Sequence, residues 1–228
     1  MQKWKSRPIV IFIDEIYNPD IMLKSLAEPS ESFPANVTII AVLNPRNSKY
    51  LPTLPEFVLQ INLTTPYRST IAITSLARFL VKSYGLDVPE VEFGSDVQGK
   101  KPIAFDVGED GDKLKMALQR SREQLGDDAT LLYDGDLSYS MIEICESHGK
   151  EKGGPWECYH ASNFYGWEAE RVVAVTTGWG AMLEMATRAK TELILIIDTE
   201  RNLSLKETVK AAAEEGLVDL KVIERKNK

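Results

Sequence analysis

Uninterrupted runs of Val, Ile and Leu recur along the 228-residue chain and are separated by stretches with helical spacing of apolar residues. Such runs are typical of strands that are buried on both faces, as in a parallel sheet covered by helices. Alternation of strand and helix predicts a doubly wound α/β architecture. The predicted strands are Ile9–Ile13, Val37–Leu43, Phe57–Leu63, Pro102–Val107, Ala129–Tyr133, Arg171–Thr176, Glu192–Ile197 and Leu220–Glu224.

Amphipathic segments predict helices, and the Gly-rich stretch Glu151–Trp156 predicts a turn or an exposed loop. Three strands with little helix between them precede a regular α/β series. This change places a domain boundary between residues 65 and 66, which gives domains of residues 1–65 and 66–228. The predicted helices are Ser69–Tyr84, Lys113–Leu125, Ser138–Ser147, Ala181–Ala189 and Ser204–Glu215.

Composition narrows the class of protein. The chain is 43% hydrophobic and 27% charged, which is ordinary for a globular domain with a core. It contains no apolar run of 18 residues, and its N-terminus does not have the pattern of a signal peptide. Two cysteines form no disulfide framework and indicate a reducing compartment. We therefore expect an intracellular protein without membrane contact, with nucleus and cytoplasm both open.

Net charge argues against a module that binds nucleic acid by charge alone. The formal charge is -7 at pH 7, and the acidic excess lies within residues 101–228. Nucleic-acid-binding domains usually carry a basic surface. A motor that touches a strand at few points remains compatible with this balance.

The first motif that carries chemistry is the strand Ile9–Ile13 followed by Asp14 and Glu15. This is the Walker B pattern, in which the Asp holds Mg²⁺ on a nucleotide and the Glu polarises the attacking water. A buried strand that merely ends in acids near a turn has the same appearance. The sequence contains no G-x-x-x-x-G-K-[ST] phosphate-binding loop. Either a P-loop domain precedes this chain in a longer protein, or the protein never had one.

Three further motifs follow in order: Tyr67-Arg68-Ser69, then Gly166-Trp167-Glu168 leading into Val172-Val173, then Thr187-Arg188-Ala189-Lys190. With Asp14-Glu15 they resemble motifs II, IV, V and VI of superfamily 1 helicases of the UvrD-like type. The resemblance covers nearly the whole chain. It implies a RecA-like, P-loop NTPase-type fold with three α/β/α layers. It also implies that residues 1–65 end a first RecA-like domain and that residues 66–228 form the second.

The resemblance also implies roles for individual residues. Arg68 and Arg188 would reach the γ-phosphate of ATP, where an arginine stabilises the developing charge. Tyr67 would stack on the adenine, and Gly166 and Glu168 would contact the nucleotide, Glu168 through a ribose hydroxyl. The implied cofactors are ATP and Mg²⁺, with the metal held through Asp14. Asn44, at the tip of the second strand, would sense the γ-phosphate, and His160 and Ser162 would face a nucleic-acid strand.

Two departures from the family pattern change the expected activity. Asn44-Pro45-Arg46 follows the strand Val37–Leu43, where the family has Gly, Asp and Gln in motif III, and motif V lacks its Lys. We therefore expect a translocase-like or regulatory ATPase rather than a processive unwinding enzyme. The expected partners are ATP, single-stranded DNA or RNA, and a P-loop domain of the same protein. Alone, this chain is expected to hydrolyse ATP negligibly.

Alternatives remain at this point. The protein is either a motor, a signalling NTPase switch that threads no strand, or a catalytically silent interaction scaffold. Arg68 also fits a surface ion pair, and Arg188 fits a solvated position on an amphipathic helix. Trp167 is expected in a core or at a domain interface. Asp134 and Asp136 are expected to form a turn and a helix cap.

Overall fold

A computed structural model of the protein describes residues 9–16, 37–43, 68–85, 94–164, 166–200 and 202–223. The chain forms two compact units, Met1–Asn62 and Leu63–Lys228. The identification of these units with two RecA-like domains stays a prediction. No helix within the described ranges is long and apolar enough to cross a membrane.

Two parallel strands are described in the first unit, β1 (Ile9–Ile16) and β2 (Val37–Leu43). Their register runs from Ile9 opposite Val37 to Ile13 opposite Ala41, and it shifts before Ile16. Asp14 and Glu15 therefore lie at an irregularity near the carboxyl end of β1. Such irregularities bend a strand and redirect the residues that they contain.

The second unit is built on a six-stranded, all-parallel sheet with the order β5-β4-β6-β7-β3-β8. The central pair is β6 and β7, which are aligned from Ala169 opposite Ala189 to Thr176 opposite Ile197. The strands are β3 (Ile103–Asp106), β4 (Thr130–Tyr133), β5 (Glu157–His160), β6 (Ala169–Thr176), β7 (Ala189–Ile197) and β8 (Asp219–Val222).

Five α-helices cover the two faces of this sheet in the described part of the chain. Helix α2 begins where the Asp110 carboxylate accepts from the backbone N–H groups of Asp112 and Lys113, and it ends at Gly126, whose φ of 77° favours glycine. In the same way Asn202 caps α5 by accepting from Leu205 N–H. The helices are α1 (Ile71–Ser83), α2 (Gly111–Leu125), α3 (Tyr139–Ser147), α4 (Trp179–Ala186) and α5 (Leu203–Glu214).

The core lies in two layers, one on each face of the sheet. Successive residues of a strand point to opposite faces, and β6 shows the result. Val172 and Ala174 pack with the apolar sides of α1, α4 and α5, whereas Val173 and Val175 pack with those of α2 and α3. All four side chains are fully buried. The predicted fold class is thus confirmed: the unit is a three-layer α/β/α sandwich around a parallel sheet, consistent with the RecA-like type.

Two elements differ from the sequence prediction. Strand β5 was not predicted, because it lies at an edge of the sheet and its residues are alternately exposed and half-buried rather than a buried apolar run. Helix α4 was predicted to reach Ala189 but ends at Ala186, and Ala189 already pairs with β6. The predicted strand Phe57–Leu63 lies outside the described residues.

Candidate nucleotide-facing site

The predicted site residues fall into three groups. Asn44 and Tyr67 lie outside the described residues. Asp14 and Glu15 are placed by the backbone of β1, and their side chains are not described. The others are described with their side chains, and the structure brings most of them to one edge of the six-stranded sheet.

Three segments that are far apart in sequence meet at the amino edge of the sheet, where the strands begin. Ser69 Oγ donates to the carbonyl oxygen of Ala189 at 2.6 Å, across 120 residues of sequence. Thr70 N–H donates to the carbonyl of Lys190 at 3.0 Å, and Ala169 N–H donates to that of Arg188 at 3.0 Å. These bonds fix the three motif segments to one another through the backbone and through one half-buried hydroxyl contact.

Glu168 is the centre of the charged cluster that these segments carry. Its Oε2 atom lies 2.6 Å from Arg68 Nε, and its Oε1 atom lies 2.6 Å from Lys190 Nζ. The hydrogen bond from Lys190 and the charges of Arg68, Lys190 and Arg188 lower the pKa of the Glu168 carboxyl. In return, the Glu168 carboxylate raises the pKa of Lys190. Glu168 and Lys190 therefore favour each other's charged form.

Arg68 and Arg188 differ in their surroundings. The Arg68 side chain is 52% exposed and forms the ion pair with Glu168 that the sequence left open. The Arg188 side chain is only 9% exposed and lies 3.7 Å from Glu184, one turn earlier. Arg188 is thus not a solvated residue of an amphipathic helix. It follows the end of α4, in the turn that leads into β7.

The turn before β6 presents an exposed aromatic residue beside this cluster. Gly166 has a φ of 73°, in the left-handed region that side chains with a Cβ rarely adopt. The next residue, Trp167, is 68% exposed. Trp167 is therefore not a core residue, and the other expectation, that it lies at a domain interface, stays a prediction. An exposed indole beside Glu168 offers a stacking surface at the edge where the cations gather.

His160 and Ser162 lie at the other edge of the sheet, where β5 ends. His160 Nδ1 is 2.6 Å from Ser162 Oγ and accepts from Ser162 N–H at 3.2 Å. Nδ1 is therefore an acceptor, which leaves the proton of the neutral ring on Nε2. That nitrogen lies against Gly135, where an added Cβ would be 2.7 Å away. These two residues do not join the charged cluster.

The same carboxyl edge holds a buried carboxylate whose importance the sequence did not show. Asp134 is 3% exposed and directly follows β4. Its Oδ2 atom accepts from Thr176 Oγ, at 2.6 Å, and from the N–H groups of Thr177 and Gly178, both at 3.2 Å. Asp134 ties the loop after β4 to the loop after β6, so its role is structural. The sequence showed only an Asp-Gly-Asp turn at this position.

The two edges carry different charges. Described loops at the carboxyl edge carry carboxylates, whereas the amino edge carries ion pairs, in which Arg68 and Lys190 contact Glu168 and Arg188 contacts Glu184. No group of three or more His, Cys, Asp or Glu side chains in the described part of the chain is arranged to hold a metal ion. The carboxylates of the carboxyl-edge loops are Glu109, Asp110, Asp134, Asp136, Asp198 and Glu200.

Comparison with known proteins adds no family to this description. No protein-family model matches the chain, and no curated protein matches it. The class of protein that the structure defines is a parallel-sheet α/β protein with a guanidinium–carboxylate–ammonium cluster at the amino edge of its larger sheet.

Proposed function

We propose that this chain is part of a superfamily 1 helicase-like ATPase motor and that residues 66–228 are its second RecA-like domain. In this proposal Arg68 and Arg188 contact the phosphates of an ATP that is bound mainly by a P-loop domain of the same protein. The proposal includes an intracellular location. The observation that carries it is the meeting of residues 68–70, 166–169 and 187–190 at one sheet edge.

The chemistry of the cluster fits a nucleoside triphosphate. Guanidinium groups offer planar forks of donors that match phosphate oxygens, and they stay charged at all physiological pH values. A carboxylate beside them can accept from a sugar hydroxyl, which is the role proposed for Glu168. Arginines that reach a nucleotide from a second domain also make hydrolysis depend on domain closure. The ATP and Mg²⁺ would supply the phosphoryl group and the charge neutralisation, with the metal held through Asp14.

The experiment uses the full-length protein that contains this chain and a P-loop domain. We would measure its ATPase rate with and without single-stranded DNA or RNA, for the wild type and for Arg68→Ala and Arg188→Ala. Arginine fingers contribute about 10³-fold or more to the rate in well-studied enzymes, so both variants should lose most of the activity.

Arg122→Ala is the matched control. Arg122 is also 52% exposed and also lies 2.6 Å from a carboxylate, that of Asp127, but on α2 away from the cluster. Because the Arg188 side chain is buried, Arg188→Lys and thermal unfolding accompany its Ala variant. If Arg68→Ala and Arg122→Ala hydrolyse ATP equally well, or if no P-loop domain exists in the protein, the proposal fails and the scaffold alternative remains.

One observation favours the alternative of a signalling NTPase switch. The edge that carries His160 and Ser162 also carries the carboxylates of the loops after β3, β4 and β7, and these repel a nucleic-acid backbone. An ATPase rate that responds to Arg68→Ala but not to any nucleic-acid strand would establish the switch and exclude the motor.

A further inference from the structure

The Glu168 carboxylate is shared between two cations, with one oxygen for each. Arg68 Nε takes Oε2 and Lys190 Nζ takes Oε1, both at 2.6 Å. The three side chains are between 32% and 52% exposed, so each can move. Lys190 has a second acid, Glu170, at 3.9 Å. Lys190 therefore lies on the oxygen that a second contact from the Arg68 fork would use.

This sharing matters because Arg68 has two acceptors to choose between under the proposed function, on which the present inference rests. In the structure its guanidinium is held by Glu168. A phosphate that takes the Nε side of the Arg68 fork has to displace this carboxylate. While Lys190 stays on Oε1, the departing arginine leaves behind a carboxylate that still has a counter-charge. Without Lys190, both oxygens face the Arg68 fork, and a bidentate pair is stronger than a single contact.

We propose that Lys190 is a positioning residue that keeps the Arg68 guanidinium free to exchange between Glu168 and the phosphate of a bound nucleotide. It does so by occupying one oxygen of Glu168. Its backbone carbonyl has the separate task of accepting from Thr70 N–H. Substitution of the Lys190 side chain leaves this backbone bond in place. The effect on Arg68 can therefore be measured while the segment of Thr70 stays bound to β7.

The first measurement needs no nucleotide. Nitrogen-15 NMR of the 228-residue chain follows exchange of the Arg68 Nε–H with solvent. In Lys190→Met we expect this exchange to slow by about twofold to fivefold, because exposed charge pairs of this kind shift equilibria by such factors. Glu168→Gln should speed it, and Lys190→Arg should restore it. Lys100→Met, which removes an exposed lysine 2.8 Å from Glu192 at the same sheet edge, should leave it unchanged.

The second measurement is the ATPase rate of the full-length protein. Lys190→Met should lower kcat by about threefold to fivefold and leave KM for ATP nearly unchanged, since the held arginine acts in the transition state. In a Glu168→Gln background the same substitution should have no effect on kcat, because a neutral amide does not hold Arg68. Lys190→Arg should behave as the wild type.

The two proposals fail in different ways. The proposed function is refuted if Arg68→Ala leaves the ATPase rate unchanged. The inference on Lys190 is overturned if Arg68→Ala abolishes hydrolysis while Lys190→Met leaves both kcat and Arg68 Nε–H exchange at wild-type values. A drop in kcat that persists in the Glu168→Gln background also overturns it, because Lys190 would then act by another route.

Discussion

The Asp134 carboxylate is expected to hold the scaffold rather than a ligand, and its removal should destabilise the second unit by about 3 kcal/mol. Ligands of open parallel sheets usually bind at the carboxyl edge, where adjacent strands lead in opposite directions. Asp134 lies at such a place, between β4 and β6. Its oxygens are already satisfied by donors of this chain, so it has little capacity left for a ligand.

The magnitude follows from what each donor has left after Asp134→Ala. Thr176 Oγ can turn to the carbonyl of Gly178 at 2.9 Å, and Gly178 N–H keeps Thr176 Oγ at 3.0 Å. Among the described residues Thr177 N–H has no such substitute, and an orphaned buried donor costs about 1–3 kcal/mol. The weakened bonds of Thr176, Gly178 and Asp136 N–H add roughly 0.5 kcal/mol each.

Urea unfolding followed by circular dichroism measures the loss. Asp134→Asn is the sharper variant, because it keeps the volume and turns an amide donor or an uncharged oxygen toward the N–H groups. Asp128→Ala is the control, since its carboxylate is exposed in the turn before β4 and should matter by less than about 0.5 kcal/mol. If Asp134→Ala unfolds at the same urea concentration as the wild type, Asp134 does not have the structural role. The carboxyl edge then becomes a candidate ligand site.

Two further predictions concern groups whose ionisation the fold suppresses. Burial raises the pKa of the Cys145 thiol, and burial also raises the pKa of the Cys158 thiol to about 12. Neither thiol should therefore react with iodoacetamide at pH 8 until urea unfolds the chain. Mass spectrometry of the folded chain that finds either thiol alkylated would contradict the structure. Burial and the hydrogen bond to Glu146 raise the pKa of Tyr133 to about 12, so its contribution to stability is complete below pH 10 and is lost as the pH rises from 10 to 12. In Tyr133→Phe the urea concentration at the unfolding midpoint should therefore fall less steeply between pH 10 and 12, and the fall that is due to Cys158 should remain. If this pH dependence is the same as in the wild type, the assignment to Tyr133 is refuted.

The sequence predicted the strands that are buried on both faces, because such strands consist of an uninterrupted apolar run. The prediction failed for a strand without such a run. Residues Val172–Val175 are buried by helices on both faces of the sheet, and the sequence predicts their strand. Strand β5 has a neighbour on one side only, and its four residues are alternately exposed and half-buried, so it lacks the buried apolar run that marks β6 and β7. The predicted helix α4 is three residues too long at its carboxyl end, because Ala and Arg favour helix. In the structure Ala189 pairs with β6 and therefore belongs to a strand.

The charged cluster was predicted residue by residue but not as a geometry. Arg68, Glu168 and Arg188 came from a resemblance in motif order, which says nothing about distances. Their meeting depends on backbone bonds between segments 120 residues apart, such as that from Ser69 to Ala189. Local sequence cannot encode such a contact. The part of Lys190 in holding Glu168 was missed for the same reason.

The different charged groups at the two sheet edges set a condition on the proposed function. At the amino edge a phosphate meets the cations Arg68, Arg188 and Lys190, and it has to compete there with the carboxylates of Glu168, Glu170 and Glu184. A nucleic-acid strand at the carboxyl edge meets carboxylates, so it cannot be held there by charge and has to be held by stacking and hydrogen bonds near His160. A switch needs no strand at all. The charge distribution therefore supports the nucleotide-facing part of the proposal more strongly than the strand-facing part, and response to a strand is what separates the two functions.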